Sequence, residues 1–222
     1  MCDAEVLTPI LGRLVRRKGL ASAMIGIVVS PWIQLQAARQ TYRVDPAASH
    51  AAIHVGKAGV FSFIAGHPHE VVGPIEDGSI EVDLEDPSQS HVQIVIATPA
   101  LRVSPVGEPE GDAPKVQDAM SGDKVLDVAH HPRITYESTS VTLKSRRGTV
   151  LDIVVTGQLT IRDVRQSVTA PVRVDVGDHA LTATGRFSVK QSAFGIKPIS
   201  VGGVVAVKDT LEIDFSISAK SP

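Results

Sequence analysis

TLEIDFSIS, residues Thr210–Ser218, alternates strictly between apolar and polar side chains: Leu211, Ile213, Phe215 and Ile217 against Glu212, Asp214, Ser216 and Ser218. Successive side chains of a β-strand point to opposite faces, so a period of two marks a strand with one buried and one wet face. The same pattern recurs upstream. In Ser167–Val176 it groups Val172, Val174 and Val176; in Leu181–Val189 it groups Leu181, Ala183, Phe187 and Val189, with Gly185 in the row. His91–Thr98 puts Val92, Ile94 and Ile96 together, and Asp152–Ile161 and Ile134–Leu143 follow with some slips.

Turn signals separate these runs at Glu76-Asp77-Gly78-Ser79, Asp86-Pro87-Ser88, Arg146-Arg147-Gly148 and Gly177-Asp178. Such residues supply the backbone angles of tight hairpins. Short loops between alternating runs imply antiparallel neighbours, about eight to ten strands in all. One segment departs from the pattern. Val106–Pro114 is rich in Gly, Pro and acid. Asp112 can cap a helix with Pro114 in its first turn, and Val116, Ala119 and Met120 follow at helical spacing. Residues 114–125 are therefore expected to form one or two short helices, interrupted at Gly122. The expected fold is all-β with a short helical insertion. The small and medium apolar residues of its inner faces suit a filled sandwich. They equally suit a barrel of about eight strands with room for one small ligand.

The N-terminus reads differently. Arg13, Arg16, Arg17 and Lys18 form a basic cluster, the run from Gly19 to Leu35 carries no charge, and Gln36, Ala37 and Ala38 close it. A basic region, an apolar region and a small-residue exit make up a secretory signal, with cleavage expected after Ala37. The domain division is then a signal peptide at 1–37 and one exported β-domain at 38–222. A membrane anchor would need about 20 apolar residues. This run is shorter, and Ser30-Pro31 interrupts it. Residues 1–37 hold four of the 22 basic and two of the 24 acidic residues, so the remainder has a net charge of −4. That mildly acidic chain has no basic block, which argues against nucleic acid and against a polybasic membrane patch. The only cysteine is Cys2, so the exported domain must be held together by its apolar core.

Several segments, taken in order, carry a family likeness. Tyr42-Arg43-Val44-Asp45-Pro46, with Ser49, begins the domain. Gly122–Asp127 and His131-Pro132-Arg133-Ile134-Thr135-Tyr136-Glu137-Ser138 run through its middle, followed by Val155–Ile161. Lys190-Gln191-Ser192-Ala193-Phe194-Gly195-Ile196 and Val207-Lys208-Asp209 end it. In this order and spacing, roughly residues 41–219 resemble the YceI-like family of lipid or polyisoprenoid-binding proteins. The resemblance implies an antiparallel, lipocalin-like β-barrel of eight or more strands, periplasmic export, and a long isoprenoid or amphiphilic lipid in an apolar pore. It implies no enzymatic activity. The chain departs from the family in two places: Asp163-Val164-Arg165 stands where Gly-Val-Thr is usual, and Ala193 where Asp is frequent. The segment Ala65-Gly66-His67-Pro68-His69-Glu70-Val71 resembles a branch of the family rather than its general pattern.

A dry tunnel needs no sharp polar motif, because each buried CH₂ contributes about 0.8 kcal/mol by itself. The candidate lipid-lining residues are Phe61, Phe63, Ile94, Ile96, Ile134, Leu159, Val174, Phe187, Phe194, Ile196 and Phe215. Gly195 would allow a bulge or a close backbone approach beside the pore. The alternative function is metal binding or metal-assisted chemistry. His67 and His69, at i and i+2, would share a strand face, with Glu70 adjacent and His54 as a third ligand. His130 and His131 are expected in a loop. There is no Gly-x-Ser-x-Gly elbow and no His-Glu-x-x-His. The expected partner is a hydrophobic small molecule, with no cofactor beyond a bound polyisoprenoid or fatty amphiphile. A homodimer and transient contact with the membrane are compatible with this reading.

Overall fold

The computed structural model describes residues 39–58, 68–201, 204–205 and 207–222. Its elements are β1 (Gln40–Val44), β2 (His50–Lys57), β3 (His69–Pro74), β4 (Asp77–Val82), β5 (His91–Ala97), β6 (Arg102–Val103), α1 (Asp112–Ser121), β7 (Arg133–Arg147), β8 (Val150–Ile161), β9 (Val164–Val176), β10 (Ala180–Lys190), β11 (Ser200–Val201), β12 (Val204–Val205) and β13 (Val207–Lys220). Eight strands, in the order β1-β4-β5-β7-β8-β9-β10-β13, form an antiparallel ring. It closes where β13 pairs with β1, Arg43 opposite Lys220 and Val44 opposite Ala219. Closure removes the sandwich that periodicity had left open. The long β13 serves twice. Its last residues close the ring, and its earlier part pairs with β2, which carries β3 and then β6.

Alternation builds the wall. Along β8, Leu151, Val155 and Leu159 are buried on one face; along β10, Leu181, Ala183 and Val189 are. The register stacks these rows across strands, with Leu181 opposite Val176 and Ala219, and Ala183 opposite Val174 and Ile217. The hairpins are tight. Gly148 and Thr149 join β7 to β8, with Gly148 at φ 62°. Arg162 and Asp163 join β8 to β9, at φ 49° and 61°.

Three expectations are corrected. Glu76-Asp77-Gly78-Ser79 is not a turn: Asp77, Gly78 and Ser79 lie inside β4, and the chain passes from β3 to β4 through Ile75 and Glu76. Gly78 is needed there for space, since a Cβ would lie 2.6 Å from the Gln93 carbonyl and 2.9 Å from both Ile94 Cδ1 and Val44 Cγ2. The helical insertion is one helix that starts at Asp112, two residues before the expected start, and its cap is Gly111 at φ 78° rather than Asp112. It ends at Ser121, before Gly122. The described strands also outnumber the expected eight to ten, because pieces such as β6, β11 and β12 are two residues long and carry no periodicity.

Candidate functional site

The two ends of the barrel differ. Where β1 closes the ring, Tyr42 and Ala219 are fully buried and Ile75 and Leu181 are 1 % exposed, so apolar side chains plug that end. The opposite end is framed by α1, the end of β2, the start of β3 and a 3-10 turn at Gln191–Phe194. Between them the barrel is hollow.

The hollow has two chambers. The inner one, about 150 Å³, is lined by Ile80, Val92, Ile94, Tyr136, Leu151, Val174, Phe215 and Ile217, among others. The outer one, about 660 Å³, is lined by Ile53, Val55, Val71, Met120, Leu126, Ile134, Phe194 and Ile196, among others. Ala51, Ile96, Leu159, Phe187 and Ile213 border both, so the chambers adjoin end to end. The outer volume falls in the range of about 300–1,000 Å³ typical of small-molecule sites. Exposed Lys115, Ala119 and Ile199 on its border bring it to the protein surface.

Ile94, Val174 and Phe215 line the inner chamber; Ile134, Phe194 and Ile196 line the outer; Ile96, Leu159 and Phe187 line both. Phe61 and Phe63 lie outside the described residues. Gly195, at φ 74°, ends the 3-10 turn. Its left-handed conformation turns the chain so that Phe194 and Ile196, on either side, are both buried, 2 % and 3 % exposed. The sequence reasoning missed Ala51, Ile53 and Val55, although Ala-x-Ile-x-Val in β2 has the same period of two as the strands it found. It also passed over Tyr136, which sits in the middle of a quoted motif.

Polar groups gather at the outer end. His69 Nδ1 lies 2.7 Å from Glu108 Oε1, a carboxylate only 2 % exposed, and Asp112, Lys115 and Gln191 also border the chamber. Gln191 donates through Nε2 to the Lys208 carbonyl at 2.7 Å, which fastens the 3-10 turn to β13. The proposed metal grouping does not assemble around His69. His54 and Glu70 are cross-strand partners facing each other at 3.7 Å, and His54 Nε2 lies 2.9 Å from Asp214 Oδ2. Each neighbours, in register, a residue on the cavity side (Val55 and His69), so strand alternation puts both on the outer face. Among the described residues no three His, Cys, Asp or Glu side chains form a metal-binding group, and His67 lies outside those residues. His130 and His131 sit in the turn after Asp127, whose carboxylate lies 2.8 Å from His130 Nδ1.

The outer face carries the charge. Arg186 grips Asp214 with two nitrogens, and Arg173 donates to Asp152 at 2.9 Å. These guanidinium contacts hold both carboxyls below the usual carboxylate range. Inside the barrel, burial alone pushes the Tyr136 phenol up to about 12. The arrangement can sequester a long apolar molecule from water.

Comparison with known proteins fits this geometry. Residues 42–219 match the YceI-like domain. No curated protein matches the sequence. Among solved structures, the chain is similar to BcnA of Burkholderia cenocepacia, with 21 % identity and a TM-score of 0.60, covering 80 % of this chain and 99 % of that one. It is also similar to a polyisoprenoid binding domain from Saccharophagus degradans implicated in plant cell wall breakdown, with 12 % identity and a TM-score of 0.56, covering 82 % and 99 %. At these identities the likeness speaks for the shared fold.

Proposed function

The chain belongs to the YceI-like domain family, and on that premise we propose that it is an exported lipid-binding protein holding an isoprenoid or another long amphiphile inside its barrel. The observation that carries this reading is the pair of adjoining chambers bordered almost wholly by aliphatic and aromatic side chains. A chain threaded through both exchanges water for hydrocarbon along its length, at about 0.8 kcal/mol per CH₂-sized group before the costs of immobilising it. The polyisoprenoid binding domain of Saccharophagus degradans, which shares the fold, supports the choice of an isoprenoid. The apolar lining favours binding over catalysis, which would need convergent polar groups beside a substrate.

The test is displacement of a fluorescent fatty-acid probe from the purified protein by prenyl alcohols of increasing length. Affinity that rises with each added isoprene unit, then levels off once the chambers are filled, supports the reading. A protein that binds neither the probe nor any prenyl alcohol contradicts it. Export is tested separately by the N-terminus of the protein recovered from the cell envelope, expected at Ala38. An intact Met1 there would contradict signal cleavage.

A further inference from the structure

The chain has two tyrosines, and both lie in the barrel with different fates for their hydroxyls. Tyr42 belongs to the plugged end, where its Oη lies 2.6 Å from Gln40 Oε1 and 3.0 Å from the Gly177 carbonyl. The protein itself satisfies that hydroxyl, as it does most buried polar groups. Tyr136 stands on β7 opposite Ile94 and Leu159 and lines the inner chamber beside Val155, Val168 and Phe187. Leu159 and Phe187 border both chambers, so this is the junction between them.

The Tyr136 ring lies over Gly157. A Cβ at Gly157 would come within 2.5 Å of Tyr136 Cζ and 2.6 Å of its Oη. The missing side chain at Gly157 is what lets the phenol lie against the wall at this height. No other side chain or backbone group among the described residues hydrogen-bonds its Oη, and burial is the sole cause of its raised pKa. The oxygen is not sealed within the wall either: it is absent from the fully enclosed polar atoms without a partner, so it retains accessible surface. A phenol with a buried ring ordinarily finds a partner. Here Tyr136 borders a cavity whose lining is almost entirely hydrocarbon.

We propose that Tyr136 Oη donates a hydrogen bond to an acceptor oxygen of the bound lipid at the junction of the two chambers. The barrel then prefers a lipid bearing a carbonyl, ester or alcohol oxygen over a plain hydrocarbon of the same length. This inference rests on the lipid-binding reading and names the ligand class more narrowly.

The test pairs geranylgeraniol with the C20 hydrocarbon that lacks its hydroxyl, each bound to the wild-type protein and to Y136F. Phenylalanine keeps the ring over Gly157, and hydrocarbon binding by the variant reports that its barrel is intact. Losing one neutral hydrogen bond is expected to weaken the alcohol about three- to tenfold and leave the hydrocarbon unchanged. Two tyrosines labelled with ¹³C at Cζ give two signals, and in the wild type the alcohol, not the hydrocarbon, should shift one of them; this readout does not depend on the variant folding. Equal weakening of both ligands, no weakening of either, or identical Tyr signals with both ligands would overturn the hydrogen bond while leaving lipid binding standing. Failure of the wild type to bind either ligand would overturn the lipid reading, and the inference with it.

Discussion

Gly185 stands opposite Phe215 in the β10–β13 register, and that single absent side chain shapes the inner chamber. A Cβ there would lie 2.6 Å from Phe215 Cζ and 2.7 Å from the Pro171 carbonyl, the second being backbone that cannot step aside. Overpacking of this kind costs about 1–3 kcal/mol. Gly185→Ala is therefore expected to lower the urea midpoint by a corresponding amount and to weaken lipid binding as Phe215 is pushed into the chamber. An unchanged midpoint would contradict this account of the close contacts at Gly185. Gly185 was legible in the sequence as a member of an apolar row, but its role was not. Nothing in the alternation of β10 says that an aromatic ring on β13 will lie across it. The same holds for Gly157 and Tyr136. Their pairing depends on register between strands, and periodicity within one strand does not encode register.

At the scale of elements, the strands richest in alternation were read nearly to their ends. Thr210–Ser218 lies within β13 and Leu181–Val189 within β10. The misread turn at Gly78 arose because glycine answers to two different demands, backbone conformation and space, and the sequence does not distinguish them. The start of α1 was displaced for a related reason: Gly111 supplies a left-handed cap where the strongest capping side chain nearby was Asp112. The β8–β9 hairpin makes a testable case. Its two loop residues, Arg162 and Asp163, both hold positive φ, the geometry of a two-residue turn that favours glycine. Asp163→Gly should relieve roughly 0.5–1 kcal/mol of backbone strain. In a domain of this size that raises Tm by about 1–4 °C, read by thermal unfolding. A fall in Tm would mean that the contact of Asp163 Oδ2 with His131 Nδ1, at 3.1 Å, outweighs the strain.

At the scale of the whole fold, the described residues form a barrel with an apolar inside and a charged outside, and its response to pH follows from the outside. Asp45, Asp86, Asp127, Asp152, Asp209 and Asp214 are all held below the usual carboxylate range, chiefly by hydrogen bonds from Lys220, Ser88, His130, Arg173, Ser192 and Arg186 respectively. A depressed folded-state pKa contributes stability that is complete above the unfolded value, about 3.9 for Asp, and is lost as pH falls through the folded value. The urea midpoint should thus stay level from about pH 7 to pH 5 and fall below about pH 4. Asp214→Asn should make that fall shallower; an unaltered slope would mean that the Arg186 contact is fully screened. The closed ring and the hollow within it were legible only through the family resemblance, since the small and medium side chains of the inner faces suit a filled sandwich as well as a barrel. The division into two chambers was not, because it comes from which rows meet at Ala51, Leu159 and Phe187 in space.

The most direct test of the central claim is native mass spectrometry of the protein purified from its own cells without added lipid, followed by organic extraction of what it carries. A hydrophobic species of defined mass, bound one to one and recovered in the extract, is the predicted result. Protein that arrives free of lipid, and stays free when incubated with prenyl alcohols, would contradict it.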